Sequence, residues 1–361
     1  MKNKKILIVS HQFLPFVSPR TTRWSLLINE LINKGHEVTV LSGTNPENIE
    51  KNFKILYFGN KQFSSNISKV RKNSQDSSNN IFRKISYSIL KKVYRFIFKT
   101  FSWPDYAMFW ALTIFKNRNN IKNNYDIIIS VSLPFTSHLC AHILNKKIRA
   151  EWIMDIGDPF SLKINSPENN KIIYSFLNKF YERKFYQNAS KIIFTHNEVA
   201  ELHQNRFDID SSKIVIGYPI AEVSEKIIKK SDNFNYKNMP LRIGYFGAFT
   251  NSVREPSNYI NNIANSFNEE VEHVWYTNEE SRKYFTSIIN ISSHKFSDIV
   301  TREEALEVMV EKMHILLSIG NLNKYQMPSK VVEYLSLGKP VLHFAEIKDD
   351  PLYNFEKLFD N

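Results

Sequence analysis

Short apolar runs alternate with amphipathic stretches from the start of the chain. Ile6 to Ser10 is almost entirely apolar and rich in β-branched residues, which is typical of a strand buried on both faces of a parallel sheet. The loop that follows, up to Pro19, contains two prolines and cannot form a continuous helix. Thr21 or Thr22 is predicted to cap a helix running through about residue 33, because apolar residues recur there at helical spacing. Gly35 ends this helix, and a second apolar strand follows.

The same alternation continues along the rest of the chain. Strands are predicted at 125–130, 150–154 and 191–194, and helices at 137–145 and 172–189. A second series has predicted strands at 241–247, 271–276, 315–318 and 340–344, and helices at 302–313 and 330–337. Alternating strands and helices predict an α/β fold with two doubly wound, parallel-sheet (Rossmann-like) domains.

A polar, lysine-rich stretch separates the two series. It covers residues 220–240 and is interpreted as an interdomain linker. The N-terminal domain then comprises residues 1–219 and the C-terminal domain residues 241–361. Two such domains are expected to face a cleft, with ligands at the carboxyl ends of the strands.

Composition limits the classes of partner and compartment. A length of 361 residues with 42% apolar content suits two domains, and the net charge of +12 indicates an anionic partner. Nucleic acid, an anionic lipid surface and phosphorylated small molecules all fit that charge. Cys140 is the single cysteine, so no intrachain disulfide and no thiolate metal site are expected. No apolar run is long enough for a signal peptide or a membrane-spanning helix, which favours a soluble or peripheral protein.

A basic amphipathic stretch precedes Asp105. Its apolar residues fall on one helical face, and its charged residues include Lys84, Lys91, Lys92 and Arg95. One interpretation is an ordinary helix against the domain core. The other is a helix that contacts an anionic membrane surface, and both hold if the two faces have different partners.

The clearest chemical pattern lies at residues 326–341. Ser329 starts a predicted helix whose first backbone N–H groups suit a phosphate, and Lys330 adds a positive charge. Glu333 follows on the same face, where a carboxylate can accept both hydroxyls of a ribose. The alternative is a capped helix between two buried strands, with no ligand.

Several short sequence motifs are similar to those of a known protein family and occur in the same order along the chain. They are residues 5–9 with 35–40, 103–105 with Trp110, 152–159, 243–247 and 328–341. Together they resemble family 4 glycosyltransferases of the GT-B fold, above all the branch that builds bacterial capsule, O-antigen and related surface polysaccharides.

The resemblance implies a nucleotide diphosphate sugar, UDP-linked, as co-substrate in the C-terminal domain, with no tightly bound cofactor. Glu333 corresponds to the ribose-binding residue, while Lys330 and Arg254, after the turn at Gly247, would neutralise the departing diphosphate. The acceptor, a polyprenyl-linked or other glycan, would bind the N-terminal domain. Retention of anomeric configuration by front-side attack is the expected mechanism, at the cytoplasmic face of the plasma membrane.

In the N-terminal domain, Asp155 and Asp158 follow a strand and are candidate catalytic residues, although Asp158 before a proline also suits a turn. His11, Arg20 and Arg23 are candidates for the acceptor phosphate; solvated arginines, or an Arg23–Glu30 pair, are the alternative. The histidines show no metal-ligand spacing, so no protein-held metal is expected.

The pattern departs from the family in two places. Tyr325 occupies the position where the family usually has a first glutamate, and the chain ends soon after its last predicted strand. Both features motivate the alternative of a catalytically inactive or truncated GT-B-like binding subunit. A nucleotide-sugar epimerase of the same fold is a further alternative. Nucleic-acid binding is not expected, because no recognition module is visible.

Overall fold

The computed structural model describes residues 3–16, 18–46, 51–59, 99–163, 167–231, 240–250, 253–267, 270–289 and 291–353. The predicted membrane-contact residues Lys84, Lys91, Lys92 and Arg95 lie outside these ranges. The chain forms two compact units, Met1–Gly217 and Tyr218–Asn361. Within the described ranges, each unit contains one sheet.

The first unit contains a seven-stranded sheet in the order β3-β2-β1-β4-β5-β6-β7. Its strands are β1 (Lys5–Ser10), β2 (Glu37–Ser42), β3 (Lys54–Tyr57), β4 (Ile127–Val131), β5 (Glu151–Ile156), β6 (Lys191–Phe194) and β7 (Ile214–Ile216). Its helices are α1 (Pro19–Asn33), α2 (Met108–Asn117), α3 (Thr136–Ile148), α4 (Lys171–Asn188) and α5 (Asn197–Phe207), with 3-10 turns at Arg118–Asn120 and Ser211–Lys213.

Alternate residues of β1 pack into cores on opposite faces of this sheet. Ile6 and Ile8 contact the cluster that includes Trp24 of α1. Leu7 and Val9 contact the cluster that contains residues of α2 to α5. The continuous apolar run of β1 therefore has the burial on both faces that the sequence predicts.

The start of α1 differs from the prediction. Ser18, and not Thr21 or Thr22, is the N-cap residue, and its side chain accepts a hydrogen bond from the backbone N–H of Thr21. Pro19 occupies the first helical turn, where a missing N–H costs nothing and its fixed φ suits the helix. The second proline of the loop therefore begins the helix instead of preceding it.

The second unit contains a five-stranded sheet in the order β10-β9-β8-β11-β12. Its strands are β8 (Leu241–Phe246), β9 (Val271–Tyr276), β10 (His294–Ser297), β11 (Ile315–Ile319) and β12 (Val341–Phe344). Its helices are α6 (Glu225–Ser231), α7 (Ser257–Asn262), α8 (Arg302–Lys312) and α9 (Lys330–Ser336), with 3-10 turns at Ala264–Ser266, Glu279–Phe285 and Ile291–Ser293.

Part of the predicted linker is helical. Within α6, Ile227 packs with Val223 against a core of the second unit, and Lys230 pairs with Glu307 and Glu311 of α8 at 2.8 and 3.1 Å. The apolar pattern of α6 is short and surrounded by lysines, which is why the sequence did not predict this helix.

All strand pairings in both sheets are parallel. The predicted fold class, two doubly wound parallel sheets covered by helices, is confirmed. Strand order reverses between β1 and β4 in the first sheet and between β8 and β11 in the second. The carboxyl ends of such strand pairs are the usual ligand sites of open α/β sheets.

Candidate functional site

In the second unit, the loops after β8 and β11 are joined at the point of strand reversal. Arg254, in the loop after β8, donates from Nε to Oδ1 of Asn321 at 3.1 Å. The Leu322 backbone N–H donates to the carbonyl of Val253 at 2.7 Å. Asn321 also donates to the carbonyl of Gln326 at 2.6 Å, which orients the segment leading into α9. A guanidinium is thereby held where ligands of this fold class bind.

A glycine directly follows each of these two strands. Gly247 follows β8 with a φ of 154°, a conformation that L side chains rarely adopt. Gly320 follows β11, and a Cβ there would clash with Oδ2 of Asp350 and lie 3.1 Å from the backbone nitrogen of Glu346. Gly320 is therefore required by close packing at this edge of the sheet.

Lys330 begins α9 close to Arg254 and Glu333. The residue is exposed, yet neighbouring protein atoms partly desolvate its ammonium and so lower its pKa, with the Glu333 carboxylate opposing this shift and the Arg254 guanidinium adding to it. Ser329 is the N-cap residue but makes no side-chain capping hydrogen bond. The helix start thus combines a lysine with a nearby arginine, a combination suited to phosphate oxygens.

Glu333 is held by a partner that the sequence did not indicate. Arg302, the first residue of α8, donates from Nε to Oε1 of Glu333 at 2.7 Å. Arg302 also donates from Nη2 to the carbonyl of Glu222 at 3.1 Å, which fixes its guanidinium. The Glu333 carboxylate is therefore oriented and kept next to a positive charge. Only the spacing of the α9 residues was visible in the sequence, because Arg302 lies 31 positions away.

Asp155 is not placed as a catalytic residue would be. It is only 1% exposed, and its carboxylate accepts hydrogen bonds from Arg23 Nη1 at 3.0 and 3.3 Å and from Trp24 Nε1 at 2.6 Å. This pairing favours a structural role over the predicted catalytic one. The alternative Arg23–Glu30 pair is absent from this part of the structure, since Glu30 pairs with Lys34 at 3.2 Å. Arg23 is itself buried, which also argues against its predicted contact with an acceptor.

Arg20 and Asp158 lie together at the strand reversal of the first sheet. Arg20 donates from Nη1 to the carbonyl of Leu133, after β4, at 2.7 Å. Its Nη2 lies 4.0 Å from Oδ2 of Asp158, and both side chains are about one-quarter exposed. Gly157 leaves room for this guanidinium, since a Cβ there would be 2.8 Å from Nη2. Arg20 and Asp158 are thus accessible to solvent, whereas Arg23 and Asp155 are buried.

His11 follows β1 at the same edge. Its ring packs edge-on against Tyr106 and Trp110, with centroid distances of 5.6 and 5.1 Å. Burial lowers the pKa of His11 to about 4, so the ring is neutral at pH 7. The backbone N–H of His11 donates to the Ser137 hydroxyl at 3.2 Å. His11 therefore contributes a neutral imidazole beside aromatic rings and no charge for an acceptor phosphate.

Among the described residues, no group of three or more histidine, cysteine, aspartate or glutamate side chains is arranged to hold a metal ion. No helix in the same ranges is both long and apolar enough to cross a bilayer.

Comparison with known proteins shows the fold. No family model matches the sequence, and no curated protein is detectably similar to it in sequence. Anabaena HepE, solved with UDP and glucose, superposes with a TM-score of 0.56 at 12% identity, covering 99% of this chain and 90% of HepE. A glycosyltransferase from Rickettsia africae gives 0.58 at 12% identity, covering 100% of this chain and 89% of that one. The lipopolysaccharide galactosyltransferase WaaB gives 0.56 at 14% identity, covering 94% of this chain and 80% of WaaB. The chain has the fold of the GT-B glycosyltransferases.

Proposed function

We propose that this protein is a glycosyltransferase that takes a sugar from a nucleotide diphosphate sugar. The proposal depends above all on one observation, the grouping of Arg254, Lys330 and Glu333 at the β8–β11 strand reversal. Two neighbouring cations suit a diphosphate, and an oriented carboxylate suits ribose hydroxyls. Related folds solved with UDP or UDP-glucose favour a uridine-based donor.

In this proposal the second unit binds the donor. Lys330 and Arg254 contact the diphosphate, beside Ser329 and the turn at Gly247. Glu333 accepts hydrogen bonds from the ribose hydroxyls, and Arg302 positions it. Fixed cations at the diphosphate stabilise the charge that develops there as the bond to the sugar breaks.

Transfer is proposed to retain the anomeric configuration. The acceptor hydroxyl attacks the anomeric carbon on the face from which the diphosphate departs, so a new C–O bond forms as the old one breaks. The leaving phosphate oxygen takes the hydroxyl proton, and no protein nucleophile is required. Proton NMR of the product reports its anomeric configuration, and an inverted anomer contradicts this step.

The acceptor is proposed to bind the first unit, where Arg20 and Asp158 are accessible and His11 lies beside aromatic rings. Arg20 suits the phosphate of a polyprenyl-linked acceptor, or a glycan hydroxyl. Membership of glycosyltransferase family 4, a role in capsule or O-antigen synthesis, hexosyl specificity and a peripheral position on the cytoplasmic face of the membrane belong to the same proposal.

Calorimetric titration of the full chain with UDP tests the donor site. Lys330→Gln is expected to weaken UDP binding by about tenfold or more, because a charge-assisted contact contributes about 1.5–3 kcal/mol. Lys295→Gln, at an exposed lysine of β10, is the matched control and is expected to leave the affinity unchanged. Equal affinity of wild type and Lys330→Gln contradicts the proposed site.

A second candidate is a GT-B-like subunit that binds a nucleotide sugar without turnover. Tyr325 motivates it, because this residue stands between β11 and α9, where its N–H donates to Asn323 Oδ1 at 3.1 Å. A tyrosine at this point supplies no carboxylate for the transferred sugar. UDP binding without turnover of any donor in a panel, with lipid-linked acceptors present, distinguishes this candidate from the enzyme.

A further inference from the structure

The outward side of α4 carries large apolar side chains that the described protein leaves uncovered. Ile172 is 95% exposed and Phe176 is 82% exposed. Ile173, Phe180 and, on the neighbouring segment, Phe101 are also exposed by half or more. We refer to these five residues as the α4 apolar face. Single exposed apolar residues are ordinary, but a contiguous group of this kind marks an interaction surface.

The opposite side of α4 packs against the core of the first unit. Phe185 and Tyr186 are fully buried in the core of that unit. Asn178 accepts a hydrogen bond from Trp103 Nε1 at 3.0 Å. The helix therefore needs no further burial of its outward residues to be held in place.

Hydrogen bonds hold Phe101 beside the start of α4. The Asn170 backbone N–H donates to the carbonyl of Lys99 at 3.0 Å, and the Tyr174 hydroxyl donates to the carbonyl of Thr100 at 2.9 Å. Asn170 also caps the helix by accepting from the N–H of Ile172 at 3.1 Å. Phe101 and the first turns of α4 thus form one preorganised surface.

The accessible charged residues of α4 itself are all positive. Lys171, Lys179 and Lys184 lie on α4, whereas its single acidic residue, Glu182, is 1% exposed and points into the core. Arg183 is the exception among the cations, because it pairs with Asp208 at 3.5 Å. An apolar patch with a basic border matches an anionic lipid interface, in which side chains reach the acyl region and lysines remain at the phosphates.

We propose that the α4 apolar face inserts into an anionic bilayer surface, with Lys171 and Lys179 contacting lipid phosphates. This inference rests on the peripheral membrane position proposed above and names a surface among the described residues that would make the contact, but it does not depend on transferase activity. A protein partner or a second copy of the chain would also cover apolar residues, but neither accounts for the absence of accessible carboxylates on the helix.

A fluorescent label at position 176 tests insertion directly. Cys140 is the single cysteine and is buried, so Phe176→Cys in a Cys140→Ala background carries one accessible NBD label. Ile289, which is 82% exposed in the second unit, gives the control site through Ile289→Cys. On phosphatidylglycerol-containing vesicles, we expect a blue shift and increased intensity at position 176 and no change at position 289. A bound protein whose label at 176 stays water-exposed overturns the proposal.

Sedimentation with the same vesicles measures the contribution of the face. Ile172→Ser/Phe176→Ser is expected to lower partitioning by about tenfold or more, because both side chains lose burial in the acyl region. Lys171→Gln/Lys179→Gln is expected to lower it several-fold on anionic vesicles and not on phosphatidylcholine. Ile289→Ser/Ile291→Ser is the matched control, and circular dichroism checks that each variant is folded.

Three results contradict the proposal. One is unchanged partitioning of Ile172→Ser/Phe176→Ser, and another is equal loss in the Ile289→Ser/Ile291→Ser control. The third is a concentration-dependent dimer, seen by light scattering without vesicles, that shifts the label at position 176. UDP affinity, measured on the same variants, is expected to remain at the wild-type value, which separates this surface from the donor site.

Discussion

The buried Arg23–Asp155 pair gives a strong test of how the first unit is held together. Asp155 lies in β5 and Arg23 lies in α1, so the pair fastens a helix to the carboxyl end of the sheet. Replacing Asp155 by asparagine keeps the side-chain shape but removes the negative charge. Arg23, which is 8% exposed, then stays charged in a site that water reaches poorly.

The expected cost follows from that burial. Breaking one partner of a buried ion pair costs about 3–5 kcal/mol, because the remaining charge is uncompensated. This figure also includes the effect of losing the carboxylate that accepts a hydrogen bond from Trp24 Nε1. Since a domain is stabilised by about 5–15 kcal/mol in total, Asp155→Asn is expected to remove a large part of the stability of the first unit.

Urea unfolding followed by tryptophan fluorescence measures this loss. The signal reports mainly on the first unit, because Trp24, Trp103, Trp110 and Trp152 lie there. Asp158→Asn is the control, since its 4.0 Å contact with Arg20 is partly exposed and contributes about 1 kcal/mol or less.

A double variant separates the cost of losing the ion pair from the cost of leaving one charge buried without a partner. Arg23→Met/Asp155→Leu is expected to be less destabilised than Asp155→Asn, because both charges are gone and no buried charge is left alone. If Asp155→Asn costs less than about 1 kcal/mol and yet abolishes turnover, the structural interpretation of Asp155 is wrong. A large loss of stability in Asp158→Asn would refute the contrast between the two aspartates.

Three further predictions concern the donor site and the fold. Partial desolvation lowers the pKa of Lys330, and UDP binding needs the charged ammonium. The affinity for UDP is therefore expected to fall with rising pH, at a lower pH than the titration of an ordinary lysine would give. Calorimetry across pH measures this fall, and Lys330→Arg should remove it. Gly320→Ala is expected to destabilise the second unit by about 1–3 kcal/mol in thermal unfolding, because its Cβ would meet Asp350; an unchanged melting temperature contradicts the packing argument. Ser18→Ala is expected to cost about 1 kcal/mol, while Thr22→Ala, beyond the capping position, is expected to be nearly neutral in urea unfolding.

The sequence predicted those elements whose apolar pattern is long and local. The buried strands β1, β5, β8 and β11 and the helices α1 and α4 fall within a few residues of their predicted bounds. The elements it missed include the short β3, β7 and α6, and also the ten-residue, largely apolar α2. Their contacts are with distant neighbours: α6 packs Ile227 against a core of the second unit and pairs its lysine with two glutamates of α8, none of which a local window contains.

The candidate donor site was only partly predictable for the same reason. Lys330 and Glu333 are one helical turn apart, so their common side of α9 follows from spacing alone. The Arg302 contact with Glu333 and the Asn321 contact with Arg254 span 31 and 67 positions. Both contacts exist because parallel strands bring the ends of separate loops to one edge, and strand order is a property of the whole sheet.

Asp155 and Asp158 show how a fold gives neighbouring residues different tasks. Both look equivalent in the sequence as candidate acids, but Asp155 lies within β5 and Asp158 lies in the loop that follows the strand. Asp155 points under α1, where Arg23 and Trp24 occupy its oxygens. Asp158 lies beyond Gly157, beside an arginine that remains partly exposed. Of the two, only Asp158 has a carboxylate that a substrate can reach, so loss of turnover without loss of stability is expected from Asp158→Asn and not from Asp155→Asn.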